Sequence, residues 1–159
     1  MIDIPVVVIP DTPTPTPADP PAVVEVIADQ VPCDNGFSGS YPCSNYDLIN
    51  RVSLSTFQSD FANDNWGWTD PETGKEYVLQ GLNDGTAFVD ISSPTSVSYI
   101  GKLATATEES TWRDIKMYNN HAFIVSEAND HGVQVVDLTR LRSVSNTPET
   151  FTADTHFTE

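Results

Sequence analysis

Basic residues are scarce in this chain. Seven Lys and Arg stand against 23 Asp and Glu, for a formal net charge of −16, and the first basic residue is Arg51. Nucleic-acid binders need a cationic footprint, so this balance argues against nucleic acid as a partner. It argues equally against an anionic membrane surface. No run approaches the ~20 apolar residues of a membrane span, so no membrane insertion is expected. The opening MIDIPVVVIP has no basic region, and Pro5 and Pro10 break its short apolar run. The expectation is that an export signal lies upstream or that export does not use that route. GxSxG, a phosphate loop, HxH and HExxH are all missing, and with them the simplest signatures of nucleophilic, phosphoryl-transfer and zinc chemistry.

Cysteine is limited to Cys33 and Cys43, which bracket DNGFSGSYP. Gly36, Gly39 and Pro42 let so short a loop close. The even count and close spacing predict a disulfide and an oxidising compartment. The spacing is neither a CxxC redox site nor a zinc knuckle.

What the chain does have is Pro and Thr at the start and β-branched residues thereafter. Residues 1–32 read as an acidic linker: PDTPTPTPADPP removes backbone donors and favours extended polyproline conformations. Within it, Ala22–Asp29 has the pattern of an edge strand. Residues 33–62 hold the disulfide loop and a lead-in, CSNYDLINRVSLSTF, where Ser44 or Asn45 can cap a short helical turn.

From about residue 63 the chain repeats itself. Trp68-Thr69-Asp70 recurs 44 residues later as Trp112-Arg113-Asp114, and Tyr77–Leu82 falls on His121–Ser126. Beyond the intervening turn the offset becomes 47, bringing Gly85 onto Gly132 and Val89-Asp90 onto Val136-Asp137. Each unit reads as four short strands, too short and too β-branched for helices. In the first unit they fall near 66–69, 76–82, 86–91 and 98–103; in the second, near 112–118, 121–127, 133–138 and 149–152. NDG between two such runs predicts a hairpin, because Asn, Asp and Gly tolerate the positive φ of a tight turn. In TAFVDI and VQVVDL both faces of the strand are apolar, so both should be covered. Four strands every 40 to 50 residues with both faces buried is the pattern of a propeller blade between neighbours. The reading is therefore an all-β, propeller-like fold over residues 63–159. It has two four-stranded antiparallel blades, about 63–105 and 108–152, and the start of a third unit.

The segments CSNYDLI, NDNWGWTDPETGKEY, GLNDGTAFVDIS, STWRDIKMYNNHAFIVSEANDHGVQVVDLTRLR and FTADTHF resemble the choice-of-anchor B family. Those are bacterial secreted or surface proteins with LVIVD-type β-propeller repeats. The resemblance runs from about Cys33 to the C-terminus. It implies a propeller fold and an extracellular or cell-surface location, and no reaction. Family domains continue for several more blades, whereas this chain stops at Glu159 after what resembles the opening of a third unit. The expectation is a truncated piece of a longer protein, or completion by other copies of the chain through the open blade edge.

Several residues are candidates for chemistry. Asn83, Asp84, Asn129 and Asp130 supply hard oxygens, and Asp84 and Asp130 are the candidate calcium ligands. Neither loop has the alternating acids and bidentate Glu of an EF-hand, and a turn explains the Gly, the position and the repetition. Asp90 and Asp137 end their strands, where a carboxylate can accept from the following turn; the alternative is a ring of acids around a channel. Trp68 and Trp112 are repeat equivalents, which points to packing between blades. Trp66 has no equivalent and is the better binding candidate. Arg113 points opposite to its strand neighbours, toward a carboxylate of the adjacent blade or toward a binding mouth. Of the three histidines, His121 begins a strand and reads as structural, and His131 lies in a turn. His156, beside Asp154, is a binding candidate and, with His131, a weaker metal candidate.

Two functions are compatible with these residues. The first is a non-enzymatic secreted or surface module that binds a protein or glycan. The second is a metal-dependent hydrolase or lyase whose site is completed by blades absent from this chain.

Overall fold

The computed structural model describes residues 30–158. The proposed edge strand at 22–29 lies outside the described residues. The described chain is all-β, in three open sheets.

A two-stranded hairpin, β1 (Phe37–Ser38) and β2 (Tyr41–Pro42), comes first. It lies inside the loop closed by the Cys33–Cys43 disulfide, so the predicted pairing is present. The helical turn is not at Ser44. It is α1 (Leu54–Phe57), capped by Ser53, whose Oγ accepts from Thr56 N. Ser53 wins because the apolar pair behind it, Leu54 and Phe57, has a sheet face to cover.

The first large sheet contains β3 (Ala62–Thr69), β4 (Glu76–Leu82), β5 (Gly85–Asp90) and β6 (Ser98–Ala104), each antiparallel to the next. The second contains β7 (Arg113–Tyr118), β8 (His121–Ser126) and β9 (Val133–Asp137), also antiparallel. A 3-10 helix, Leu138–Ser143, leaves β9. All eight expected strands are therefore present with ends shifted by a few residues, seven of them in the sheet expected of their unit.

The eighth changes sheet. The stretch expected to complete the second unit forms β10 (Glu149–Phe151), which pairs in parallel with β6 on the first sheet. The fourth strand of the second sheet is instead β11 (Thr155–Phe157), antiparallel to β9. The segment read as opening a third unit thus closes the second. Gly101 permits this exchange: a Cβ there would lie 2.1 Å from the Glu149 carbonyl oxygen, so only glycine lets β10 approach β6. Phe151 then packs its ring edge-on against Phe88, 4.9 Å between centroids. Burying two aromatic rings outweighs whatever local preference the segment had.

The main core lies between the two large sheets. Trp68, Tyr77, Leu79 and Phe88 of the first meet Ile115, Ala122, Ile124 and Val136 of the second. A second core lies on the first sheet's other face, where Val78, Ala87 and Val89 pack under Val52, Leu54 and Phe57. Both faces of the first sheet are covered, as its two-sided apolar strands require. The second sheet is covered on one face only. Phe123, Val125 and Phe157 remain exposed on the other.

The hairpin geometry is not what NDG implied. Asn83 and Asp84 join β4 to β5, yet neither has positive φ. The turn is fixed by the Asn83 side chain, whose Oδ1 accepts from Asp60 N and Phe61 N, both at 3.1 Å. The tight turn with two positive-φ residues is at Asn119 and Asn120 (φ 47° and 61°), between Tyr118 and His121. That is the two-residue connection whose twist suits a hairpin.

Candidate functional site

Arg113 begins β7 and turns its side chain inward between the large sheets, where it is 1% exposed. Its Nε donates to Leu82 O at 2.9 Å, and one Nη2 donates to Thr105 Oγ1 at 2.9 Å and to Asn83 O at 3.4 Å. Nη1 lies 2.9 Å from His131 Nε2. A guanidinium only donates, so Nε2 must accept. His131 is therefore the neutral Nδ1–H tautomer, and that proton goes to Gly132 O at 3.1 Å. Burial pushes the His131 imidazole below its ordinary value, partly opposed by the Gly132 bond. Burial also lowers the Arg113 pKa, with Asp84 acting in the opposite direction; a guanidinium stays charged through such a change.

Neither expectation for Arg113 holds. It is not ion-paired to a carboxylate within bonding distance and does not sit at an open mouth. Its planar fork of donors matches several acceptors that converge where the β4–β5 turn meets β7. Gly81 makes room: a Cβ there would lie 3.0 Å from Asp64 O and 3.1 Å from Arg113 O.

His156 joins the cluster from β11. Its Nε2 donates to His131 O at 2.6 Å, and the two rings stand edge to face with centroids 6.3 Å apart. His131 has both nitrogens engaged, so no lone pair is free for a metal in this arrangement. Asp154 is spent elsewhere, accepting from Asp137 N at 2.7 Å and Arg140 Nη1 at 3.0 Å. His121, by contrast, is remote from the pair in its bonding and binds Asn119 O through Nδ1.

The two candidate calcium ligands have different surroundings. Asp84 Oδ2 accepts from Lys102 Nζ at 2.5 Å, and its Oδ1 accepts from Ser59 Oγ at 2.7 Å. The ammonium already supplies the cation. Lys102 also donates to Phe57 O at 3.0 Å, so the trio fastens the end of α1 to the sheet. Asp130 is exposed in the β8–β9 turn with φ of 55°. Among the described residues, no group of three or more His, Cys, Asp or Glu side chains is gathered to hold a metal.

Asp90 and Asp137 brace turns. Asp90 accepts from Ser92 N and Lys75 Nζ, at 2.9 and 3.1 Å; Asp137 accepts from Thr139 N at 2.9 Å and caps the 3-10 helix. Of the tryptophans, Trp68 is 2% exposed, stacked on Tyr77, and donates from Nε1 to Asn120 Oδ1. Its repeat equivalent Trp112 is 59% exposed; among the described residues no further sheet packs over that face of the second large sheet. Trp66 is partly exposed, but Lys116 Nζ sits 4.4 Å above its ring and occupies one face.

One cross-sheet element was not singled out by the sequence. Arg142, from the 3-10 helix, donates to both oxygens of the fully buried Asp70 and to Glu72 Oε2. Together these bonds hold the Asp70 carboxyl far below the usual carboxylate range, with Arg142 the chief cause. This clamp lies at the β3–β4 turn, the end of the sheets opposite to Arg113.

An open groove of about 560 Å³ lies at the Arg113 end, on the far side of the β8–β9 turn. It is lined by Val125, Ser126, Ala128, Asp130, Gly132 and Phe157, among others. Comparison with family models, with curated proteins and with solved structures finds no match to this chain. The disulfide is consistent with an extracellular location. Among the described residues, no helix is long and apolar enough to cross a membrane.

Proposed function

We propose that this chain is a non-enzymatic, extracellular binding module whose two large sheets are adjacent blades of a propeller-like array, as the resemblance to choice-of-anchor B proteins implies. The observation that carries this reading is the uncovered face of the second sheet. Phe123, Val125 and Phe157 form an apolar surface, with Trp112 exposed just before β7. Clustered apolar exposure of this kind marks an interaction surface. A face of aliphatic and aromatic side chains suits a protein partner better than a glycan. Trp66, the binding candidate whose ring could stack on a sugar, has a lysine over one side of that ring.

The test is a defined array of extracellular proteins and glycans probed with the full chain and with Phe123→Lys. A protein hit that the variant loses supports the reading. Hits confined to glycans, or none above the variant's background, overturn it.

A further inference from the structure

The chain contains two Asp-Pro bonds, Asp19–Pro20 and Asp70–Pro71. Such a bond is chemically weak. The Asp carboxylate can reach its own main-chain carbonyl carbon in a five-membered ring. The tertiary nitrogen of Pro takes a proton and leaves more readily than a secondary amide does. The second of the two bonds lies in the β3–β4 turn, where the surroundings decide its fate.

Two of the three requirements for scission are in place there. The carbonyl open to attack is polarised: Gly74 N donates to Asp70 O at 2.8 Å, on the atom where negative charge would develop. The leaving nitrogen is within reach of solvent, because Pro71 is exposed. The third requirement, a free nucleophile, is withheld. Asp70 Oδ2 accepts from Arg142 Nε at 2.8 Å and from Thr73 Oγ1 at 2.6 Å, and Oδ1 accepts from Arg142 Nη2 and from Glu72 N at 3.0 Å. The residue is fully buried, so its carboxylate cannot turn toward its own carbonyl without giving up these bonds. No other cation stands in for the arginine. Glu72 is bound to the same guanidinium, Lys75 is paired with Asp90 of β5, and Tyr77 of β4 is stacked on Trp68. Asp137, at the start of the 3-10 helix, acts on Arg142 and favours its charge.

We propose that Asp70–Pro71 is a latent self-cleavage site locked by Arg142. This inference goes beyond the binding-module reading and does not depend on it. When Arg142 lets go, an Asp70 carboxylate oxygen bonds to the Asp70 carbonyl carbon. The C–N bond to Pro71 breaks, its electron pair stays on the prolyl nitrogen, and that nitrogen takes a proton from solvent. Water then opens the cyclic anhydride. One water is consumed and two ends are made, a C-terminal Asp70 and an N-terminal Pro71. The pieces stay associated through the pairing of β3 with β4. Arg142 follows β9 in the chain, so the second large sheet governs a bond in the first.

The test is to hold the full chain at about pH 4, where an ordinary carboxyl is half ionised, and to follow both Asp-Pro bonds by intact mass, with circular dichroism reporting the fold. A guanidinium-unfolded sample sets the unlocked rate. The folded native chain should cut at Asp70–Pro71 at least about tenfold more slowly than the unfolded one, the scale of one lost charge-assisted hydrogen bond. Folded Arg142→Gln should regain most of that rate, and adding Asp70→Asn should abolish the cut. Arg142→Lys keeps the charge without the two-pronged grip; it should cut at an intermediate rate, and it serves in place of the glutamine variant if that one does not fold. Scission of the folded native chain as fast as the unfolded one, folded Arg142 variants as slow as the native chain, or a cut that persists with Asp70→Asn would each overturn the proposal.

Discussion

Arg113 and His131 approach within 2.9 Å, cation to imidazole, between two sheets. The pair is stable because the imidazole is neutral and offers a lone pair rather than a proton. It links the first strand of one sheet, the turn of its neighbour and the turn that borders the groove.

Removing Arg113 should be among the costliest single changes at a polar residue. Arg113→Ala removes the donor to Leu82 O, Thr105 Oγ1 and His131 Nε2, while Asn83 O keeps its bond from Ser110 N. A loss of about 3 kcal/mol is expected, given roughly 1–3 kcal/mol per unsatisfied buried group. Arg113→Lys keeps the charge but cannot span the same acceptors, and should recover less than half of the loss. Chemical denaturation of the three proteins measures this.

His131 makes stability depend on pH. Its folded-state pKa lies below the ordinary value of 6.5. Below 6.5 the unfolded chain takes up a proton that the folded chain refuses, so stability is full above 6.5 and falls as pH drops toward the folded value. The slope approaches at most about 1.4 kcal/mol per pH unit for one proton. The difference in unfolding free energy between the native chain and His131→Gln, measured from pH 8 to 5, should shrink over that window. A constant difference would show that the imidazole does not titrate with folding.

Asp70 acts in a lower window. Its carboxyl is held below the ordinary 3.8 by Arg142. The unfolded carboxylate protonates first as pH falls, so the contribution is complete above about 4 and is lost below it. Asp70→Asn should lower the melting temperature at pH 7, and the gap should narrow as acid approaches the folded-state value. Arg142→Gln should reproduce the pattern.

Strand alternation gives a paired test on β8. Ile124 is 0% exposed between the sheets, and Phe123 beside it is 37% exposed on the far face. Ile124→Ala should cost about 2–4 kcal/mol through lost burial and a cavity. Phe123→Ala should cost under about 1 kcal/mol, despite removing the larger group. Thermal unfolding separates the two.

The Cys33–Cys43 bridge closes a short loop, with a sequence separation of 10. On the chain-entropy model such a loop contributes about 3 kcal/mol at most. Reduction should add two mass units and lower the melting temperature, while the groove and the Arg113 cluster, built from other elements, keep their NMR shifts.

What the sequence determined by itself is local. Short β-branched runs bounded by turn residues placed β4, β5, β6, β8 and β9 within a residue or two, because strand length, side-chain branching and turn chemistry are local properties. The Cys spacing fixed the bridge, and the repeat of Trp68 and Gly85 at Trp112 and Gly132 announced two equivalent sheets. What only the tertiary structure decided is which surfaces meet. The segment 149–151 joined the first sheet because Gly101 left room for its backbone and Phe88 offered its ring a partner, neither of which lies near it in sequence. Arg113 found carbonyls and a neutral imidazole where an acid was expected, since the convergence of the β4–β5 and β8–β9 turns is a long-range event. Trp68 and Trp112 began as equals; a neighbouring sheet buried one, and the open flank left the other in water.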